Sequence, residues 1–221
     1  MIEQGIRIDR QREERLGFDE AVYAAGKSSG QLNALIADAV ESRGRRLFTR
    51  LGPAQFEALA PAHRRMMDYD PVSCTGIVGA LGAPIRTAQV GIVTGGSSDL
   101  PVALEAARTL QYHGHAALQI ADVGVAGLWR LLERAEELRP MSVLIVVAGM
   151  EGALFSVVGG LLPAAIIALP TSVGYGVSQS GRVALQSALA SCAPGIVTVN
   201  TDNGYGAACA ALRILRPTAR E

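Results

Sequence analysis

Two residues of this chain are placed to do covalent and acid–base chemistry. Cys192 stands among small residues in Ser191-Cys192-Ala193-Pro194-Gly195, and Glu151 is the only Asp, Glu, Lys or Arg between Arg139 and Arg182. A thiolate is a nucleophile that forms covalent intermediates. A free cysteine is also a common apolar filler of protein cores, and the sequence leaves both roles open. A carboxylate in so apolar a stretch costs several kcal/mol unless it is paired, protonated or metal-bound. The competing role for Glu151 is a carboxylate at a helix N-terminus, held by the helix dipole. The other two cysteines, Cys74 and Cys209, have no companion motif, and three scattered cysteines do not make a disulfide framework. His63, His113 and His115 lack metal-ligand spacing, so no metal-binding residues are assigned.

A third feature is the run Gly95-Gly96-Ser97-Ser98-Asp99 after the apolar segment Val90-Gly91-Ile92-Val93-Thr94. Glycines let backbone N–H groups approach an anion, serine hydroxyls add donors, and a following helix N-terminus favours negative charge. The run predicts a nucleotide-phosphate site, with a plain strand-to-helix turn as the alternative. Four more stretches follow apolar segments in the same way. Asp122 in Asp122-Val123-Gly124 is a candidate ribose contact or a turn residue. Glu151 sits in Gly149-Met150-Glu151-Gly152. Thr171, Ser172 and Tyr175 belong to a donor-rich loop, Pro170-Thr171-Ser172-Val173-Gly174-Tyr175-Gly176. Asn200, Asp202 and Asn203 precede Gly204-Tyr205-Gly206.

These stretches need a scaffold that gathers them. From residue 88 onward, short apolar segments at 89–94, 116–120, 143–148, 165–169 and 196–200 alternate with helical patterns at 100–112, 126–138, 153–161, 181–190 and 204–215. That alternation predicts a three-layer αβα domain on a parallel sheet. Such sheets bind ligands beyond the carboxyl ends of their strands, where these stretches fall. Cys192 precedes the fifth strand and maps to its opposite end. Asp99 is the expected N-cap of the first of these helices.

Residues 1–87 read as a separate accessory α/β region. Leu32, Leu35, Ile36, Ala39 and Val40 share one helical face, 47–49 suggests a short strand, and the Gly- and Pro-rich stretch 70–87 reads as a linker or loop. The expected domains are therefore 1–87 and 88–221.

Lys+Arg and Asp+Glu both number 20, and aromatics make up only 5% of the 221 residues. Neither balance favours nucleic acid or an anionic membrane as a partner. Residues 1–15 mix charges without an apolar run, so a cytoplasmic protein is expected. The long uncharged run after Glu151 is broken by Gly159-Gly160, Pro163 and Pro170 and is read as buried helix and strand, not a membrane span. Its excess apolarity also suggests a subunit interface and a homo-oligomer.

Taken together, these stretches carry a family resemblance. Gly91-Ile92-Val93-Thr94-Gly95-Gly96-Ser97-Ser98-Asp99 resembles the opening of PurE-type aminoimidazole ribonucleotide carboxylase domains, which are flavodoxin-like. The Gly149-Met150-Glu151-Gly152, Pro170-to-Gly176 and Ser191-to-Gly206 stretches narrow it to LarB, the nickel-pincer cofactor biosynthesis family. Arg12, Arg15-Leu16-Gly17-Phe18, Glu20 and Gly26-Lys27 are similar to the start of that family. Phe155 and Pro194 depart from its pattern.

The resemblance implies a substrate, nicotinic acid adenine dinucleotide, with CO2 or bicarbonate as co-substrate. The pyridinium ring is carboxylated at C5 and the phosphoanhydride hydrolysed. The products are AMP and pyridinium-3,5-biscarboxylic acid mononucleotide. It assigns the nucleophile to Cys192 and the catalytic carboxylate to Glu151, and it makes Mg2+ expected. It also implies a symmetric assembly, with an octamer as one candidate, in which Cys192 acts either in its own cleft or in a neighbouring subunit's. The competing readings are a PurE-like carboxylase or mutase acting on a purine-pathway ribonucleotide, and a non-catalytic nucleotide sensor.

Overall fold

The structure is a computed structural model that describes residues 5–81 and 88–216. The chain divides into two compact units, Met1–Ala83 and Pro84–Glu221.

In the first unit, α1 (Arg12–Leu16) and β1 (Val22–Tyr23) precede α2 (Ser29–Glu41) and β2 (Arg46–Thr49). Two short helices, α3 (Pro53–Glu57) and α4 (Pro61–Arg65), then lead to β3 (Met67–Asp70) and β4 (Thr75–Val78). The sheet order is β1-β2-β4-β3; β1 and β2 are parallel, and the other pairs antiparallel. Ser28 starts α2 through a capping box, its hydroxyl accepting from the Gln31 N–H and its own N–H donating to Gln31 Oε1. Leu32, Leu35, Ile36 and Ala39 pack on Val22, Phe48, Leu51 and Val78. Val40, at the margin of the apolar stripe, is exposed; Asp38 is buried instead, held by Arg10 at 2.5 Å and Arg46 at 3.0 Å.

The loop expected over 70–87 needs correction. Residues 67–78 form the β3–β4 hairpin, with Met67 opposite Val78 and Asp70 opposite Thr75. The Asp70 carboxylate accepts from the Ser73 N–H and hydroxyl, a side-chain turn that composition alone does not reveal. Residues 82–87 of that expected linker lie outside the described residues.

The second unit follows strand–helix alternation. β5 (Val90–Thr94) leads to α5 (Leu100–Tyr112), β6 (Ala117–Ile120) to α6 (Leu128–Leu138), and β7 (Val143–Ala148) to α7 (Ala153–Leu161). β8 (Ala165–Pro170), α8 (Arg182–Leu189), β9 (Val197–Thr198) and α9 (Gly204–Leu215) complete it. The sheet order is β6-β5-β7-β8-β9, every pair parallel. This is the flavodoxin-like doubly wound order, so the expected PurE-like three-layer fold is present. Alternation along the strands feeds two cores. Val93, Leu144, Val146 and Ala168 face α6, α7 and α8; Ile92, Ile145, Val147 and Ile167 face α5 and α9.

The apolar 152–170 run is spent inside the chain. Leu154, Phe155 and Val158 of α7 and Ile166, Ile167, Ala168 and Leu169 of β8 are all buried, so most of the run offers no outer surface for assembly. The large exposed apolar residues include Leu128, Trp129 and Leu132 on α6, and Tyr175 and Val177 after β8. Among the described residues, no helix is long and apolar enough to cross a membrane.

Candidate active site

The order of the sheet reverses between β5 and β7, and there the loops after the strands leave a cavity of about 360 Å3. Gly95, Gly96, Ser98 and Asp99 form one wall; Gly149, Met150, Glu151 and Gly152 form another, with Arg130 of α6 and Val173 beside them.

Two glycine contacts set its shape. A Cβ on Gly124 would stand 2.6 Å from the Gly95 carbonyl oxygen, and one on Gly149 would stand 2.1 Å from that of Val173. Neither position has room for a side chain. Gly95 and Gly96 differ: a Cβ on either finds only ordinary contacts, at 3.4 Å and 3.8 Å. The protein's own packing therefore does not demand glycine in the turn. Room left beside two backbone amides is what an anion site requires.

Asp99 is placed otherwise than expected. It ends a 3-10 turn, Ser97–Asp99, and makes no side-chain cap to α5. Its carboxylate points back, accepting from the Gly96 N–H at 2.9 Å and the Thr171 hydroxyl at 2.7 Å. Only 3% of Asp99 is exposed. Burial pushes its pKa above the ordinary 3.8, against the hydrogen bonds from Thr171, Gly96 and Gly149, with Asp202 adding like-charge repulsion.

A raised carboxyl pKa means the folded state holds the proton more tightly than the unfolded chain. Stability from this group is greatest at acid pH and is lost as pH climbs from about 3.8 through the raised value. Asp99→Asn is therefore expected to become more stable relative to the parent as pH rises from about 4 to 7. Thermal melts across that range test this; a relative loss of stability on raising the pH would refute it.

Glu151 lines the cavity, but it is exposed, and the desolvation cost argued from its neighbours does not arise. Met150 (φ 52°) and Gly152 (φ 65°) both take the left-handed conformation and carry Glu151 out to the rim. Met150 is held in this disfavoured geometry by its N–H bond to the Val173 carbonyl at 2.8 Å. Asp122 (φ 59°) and Asp202 (φ 57°) occupy corresponding left-handed positions after β6 and just beyond β9.

The remaining expected ligand residues are engaged elsewhere. Asp122 pairs with Arg130 at 2.6 Å and does not line the cavity. Ser97 is exposed beside it. The Thr171 hydroxyl is spent on Asp99. The Ser172 N–H donates to Asp202 Oδ1 at 2.7 Å, and the Thr201 N–H to Asn200 Oδ1 at 2.9 Å. Asn203 caps α9 by accepting from the Gly206 N–H. Tyr175 is 78% exposed. Arg130, which sequence reasoning missed, is a cation on the cavity wall. It lies in the first turn of α6, one residue after Trp129.

Cys192 is not among the residues that line this cavity. It is exposed, which corrects the core-filler alternative. Its loop is pinned to α7, where the Ser191 and Ser156 hydroxyls lie 2.7 Å apart and Gly159 leaves space for Ala193 and Ile196. Among the described residues, no three His, Cys, Asp or Glu side chains converge on a metal position. The carboxyl groups of Asp99, Asp122 and Asp202 already hold protein partners. A cation here would rest on one or two of these carboxylates together with substrate phosphates, not on an all-protein cage.

A parallel sheet in this order, with a Gly-Gly-Ser-Ser-Asp turn at its switch point, defines a PurE-like α/β domain. Residues 89–221 match the AIR carboxylase family, and residues 4–79 match the LarB/PurE-like N-terminal domain. The chain belongs to the LarB family. It is 36% identical over 215 residues to the uncharacterized protein MJ0165 of Methanocaldococcus jannaschii, covering 93% of this chain and 82% of that one. Treponema denticola PurE2-S38D is a similar solved structure, with 28% identity, 57% of this chain and 77% of that chain covered, and a TM-score of 0.45. Treponema denticola PurE is similar at 27% identity, covering 57% and 78%, also at 0.45. The two family matches make the chain a PurE-related enzyme of the carboxylase type.

Proposed function

We propose that this enzyme carboxylates the pyridinium ring of nicotinic acid adenine dinucleotide at C5 and cleaves its phosphoanhydride, releasing AMP. The observation that carries this reading is the cavity at the switch point. It joins a glycine turn with room for phosphate, the cation Arg130, and Glu151 at its rim. The family supplies the carboxylase class.

A pyridinium ring is electrophilic, and its C5 does not attack CO2. Addition of the Cys192 thiolate next to the ring nitrogen breaks aromaticity and makes C5 enamine-like. C5 then bonds to CO2, Glu151 takes the C5 proton, and expulsion of the thiolate restores the aromatic ring. One inaccessible step becomes several accessible ones. Backbone amides of the Gly95–Asp99 turn and Arg130 offset charge at the phosphates during anhydride cleavage. No step is routed through Mg2+.

Cys192 is exposed and is not part of the cavity wall of its own chain, and the proposal has another subunit supply it. A strictly monomeric active species in light scattering would overturn this part. Incubation with nicotinic acid adenine dinucleotide and bicarbonate tests the reaction. AMP must appear together with a mononucleotide heavier by the added carboxylate. Binding without turnover would leave the sensor reading instead.

Gly96→Ala separates the turn's role from the fold. Its Cβ has room, so the melting temperature should stay within about 2 °C of the parent. The KM for the dinucleotide should rise about tenfold, because the methyl group intrudes where phosphate would sit. An unchanged KM would remove the turn from the phosphate site.

A further inference from the structure

The N-terminal unit holds a cavity of its own, about 290 Å3, formed by residues 5–8, the β1 region and α2, with Arg46 of β2. Its lining is cationic. Arg7, Lys27 and Arg46 face one carboxylate, Glu20, which already accepts the Asp9 N–H at 2.9 Å. The side chains of Arg7 and Lys27 make no hydrogen bond or ion pair among the described residues.

The Arg46 guanidinium is 10% exposed and rests on the buried Asp38 at 3.0 Å, a carboxylate it shares with Arg10. Counting that pair, four cations (Arg7, Arg10, Lys27 and Arg46) stand against two carboxylates (Glu20 and Asp38), an excess of two positive charges. Arg7 is exposed and Lys27 half-buried, so both stand at the mouth of the cavity above the largely buried Arg46, and the excess positive charge favours an anion there. Tyr23, 62% exposed, also lines the cavity and presents a ring to whatever enters.

We infer that this cavity binds a phosphomonoester carried on a flat ring system, the class of a nucleoside monophosphate. A phosphomonoester carries close to two negative charges at neutral pH and matches the excess. Arg46 is pre-positioned by Asp38 to grip phosphate oxygens, and Lys27 and Arg7 close around them. Tyr23 stacks on the ring. The volume lies near the lower bound for small-molecule sites and suits a mononucleotide. The site rests only on residues of the N-terminal unit and stands apart from the reaction proposed above.

Photolabelling of the full chain with 8-azido-AMP, mapped by peptide mass spectrometry, tests this. The label is expected on the peptide that contains Tyr23. It should fall at least tenfold in Arg7→Ala/Lys27→Ala, while any label in residues 84–221 stays unchanged. Excess AMP should suppress it, and inorganic phosphate should compete more weakly. Three results would overturn the assignment: no label within residues 5–35, a label undiminished in the double variant, or phosphate competing as well as AMP. Should the double variant fail to fold, Lys27→Gln alone, with a melting curve matching the parent, gives the same readout.

Discussion

Cys192→Ala is expected to lower formation of the biscarboxylated mononucleotide by on the order of a thousandfold or more, as loss of a covalent nucleophile does. Melting temperature and quaternary state should not change, because Cys192 is exposed and its loop is held by the Ser191–Ser156 contact. Cys192→Ser should be inactive as well, since an alcohol lacks the ready ionisation of a thiol. The chemistry leaves a sharper signature than rate: the parent should yield a mass adduct of substrate on the Cys192 peptide, and the variants none. Normal product formation by Cys192→Ala, followed by mass spectrometry, would end the covalent mechanism.

The proposal that a neighbouring subunit supplies Cys192 adds a complementation test. Subunits carrying Cys192→Ala and subunits carrying Glu151→Gln are each expected to be inactive. Mixed assemblies should recover part of the parent activity, because some sites pair an intact Glu151 with an intact Cys192 from a neighbour. No recovery in assemblies verified as mixed would place both groups in one chain and overturn the proposal that a neighbour supplies Cys192.

Gly149→Ala is expected to have the largest effect on the structure. The added methyl group would meet the Val173 carbonyl at 2.1 Å, with the Thr171 hydroxyl oxygen at 2.8 Å. Both neighbours are committed: Val173 accepts from Met150, and Thr171 donates to Asp99. Relief must come from parting the β7 and β8 loops, at a cost of about 1–3 kcal/mol. For a chain of this size that corresponds to a melting temperature lower by roughly 2–12 °C. Activity should fall further than stability, because the same movement displaces Met150, Glu151 and Asp99 together. A variant with parental melting temperature and kinetics would show that the loops yield freely.

The order of elements in the second unit was legible because strand–helix alternation and the long apolar segments leave few arrangements. Val143–Ala148, Ala153–Leu161 and Gly204–Leu215 fall where periodicity puts them. The hairpin at 67–78 was not legible, because its turn depends on the Asp70 side chain replacing a backbone partner. At the site, the Gly95–Asp99 turn and Glu151 were visible from composition. The inward swing of Asp99 was not, since it depends on Thr171, 72 residues away. Arg130 escaped notice because one arginine on an amphipathic helix looks like solvated surface until the sheet order puts α6 beside the switch point. For Glu151, an uncharged neighbourhood in sequence does not bring burial in space, because left-handed Met150 and Gly152 carry it to the rim.

One arrangement at the head of α9 bears on how the protein ages. Asn203-Gly204 is the dipeptide most prone to spontaneous deamidation, in which the glycine nitrogen attacks the asparagine amide carbon to close a succinimide. Here the Gly204 N–H is held by the buried Glu105 carboxylate at 2.9 Å, and the Asn203 amide oxygen is held by the Gly206 N–H at 2.8 Å. A Cβ on Gly204 would also stand 2.4 Å from the Val102 carbonyl, so the nitrogen sits in a helix-to-helix contact with little room to turn toward its attacker. Nucleophile and electrophile are both tied down, and the packing of α9 on α5 protects this peptide bond from the slow chemistry that its sequence invites.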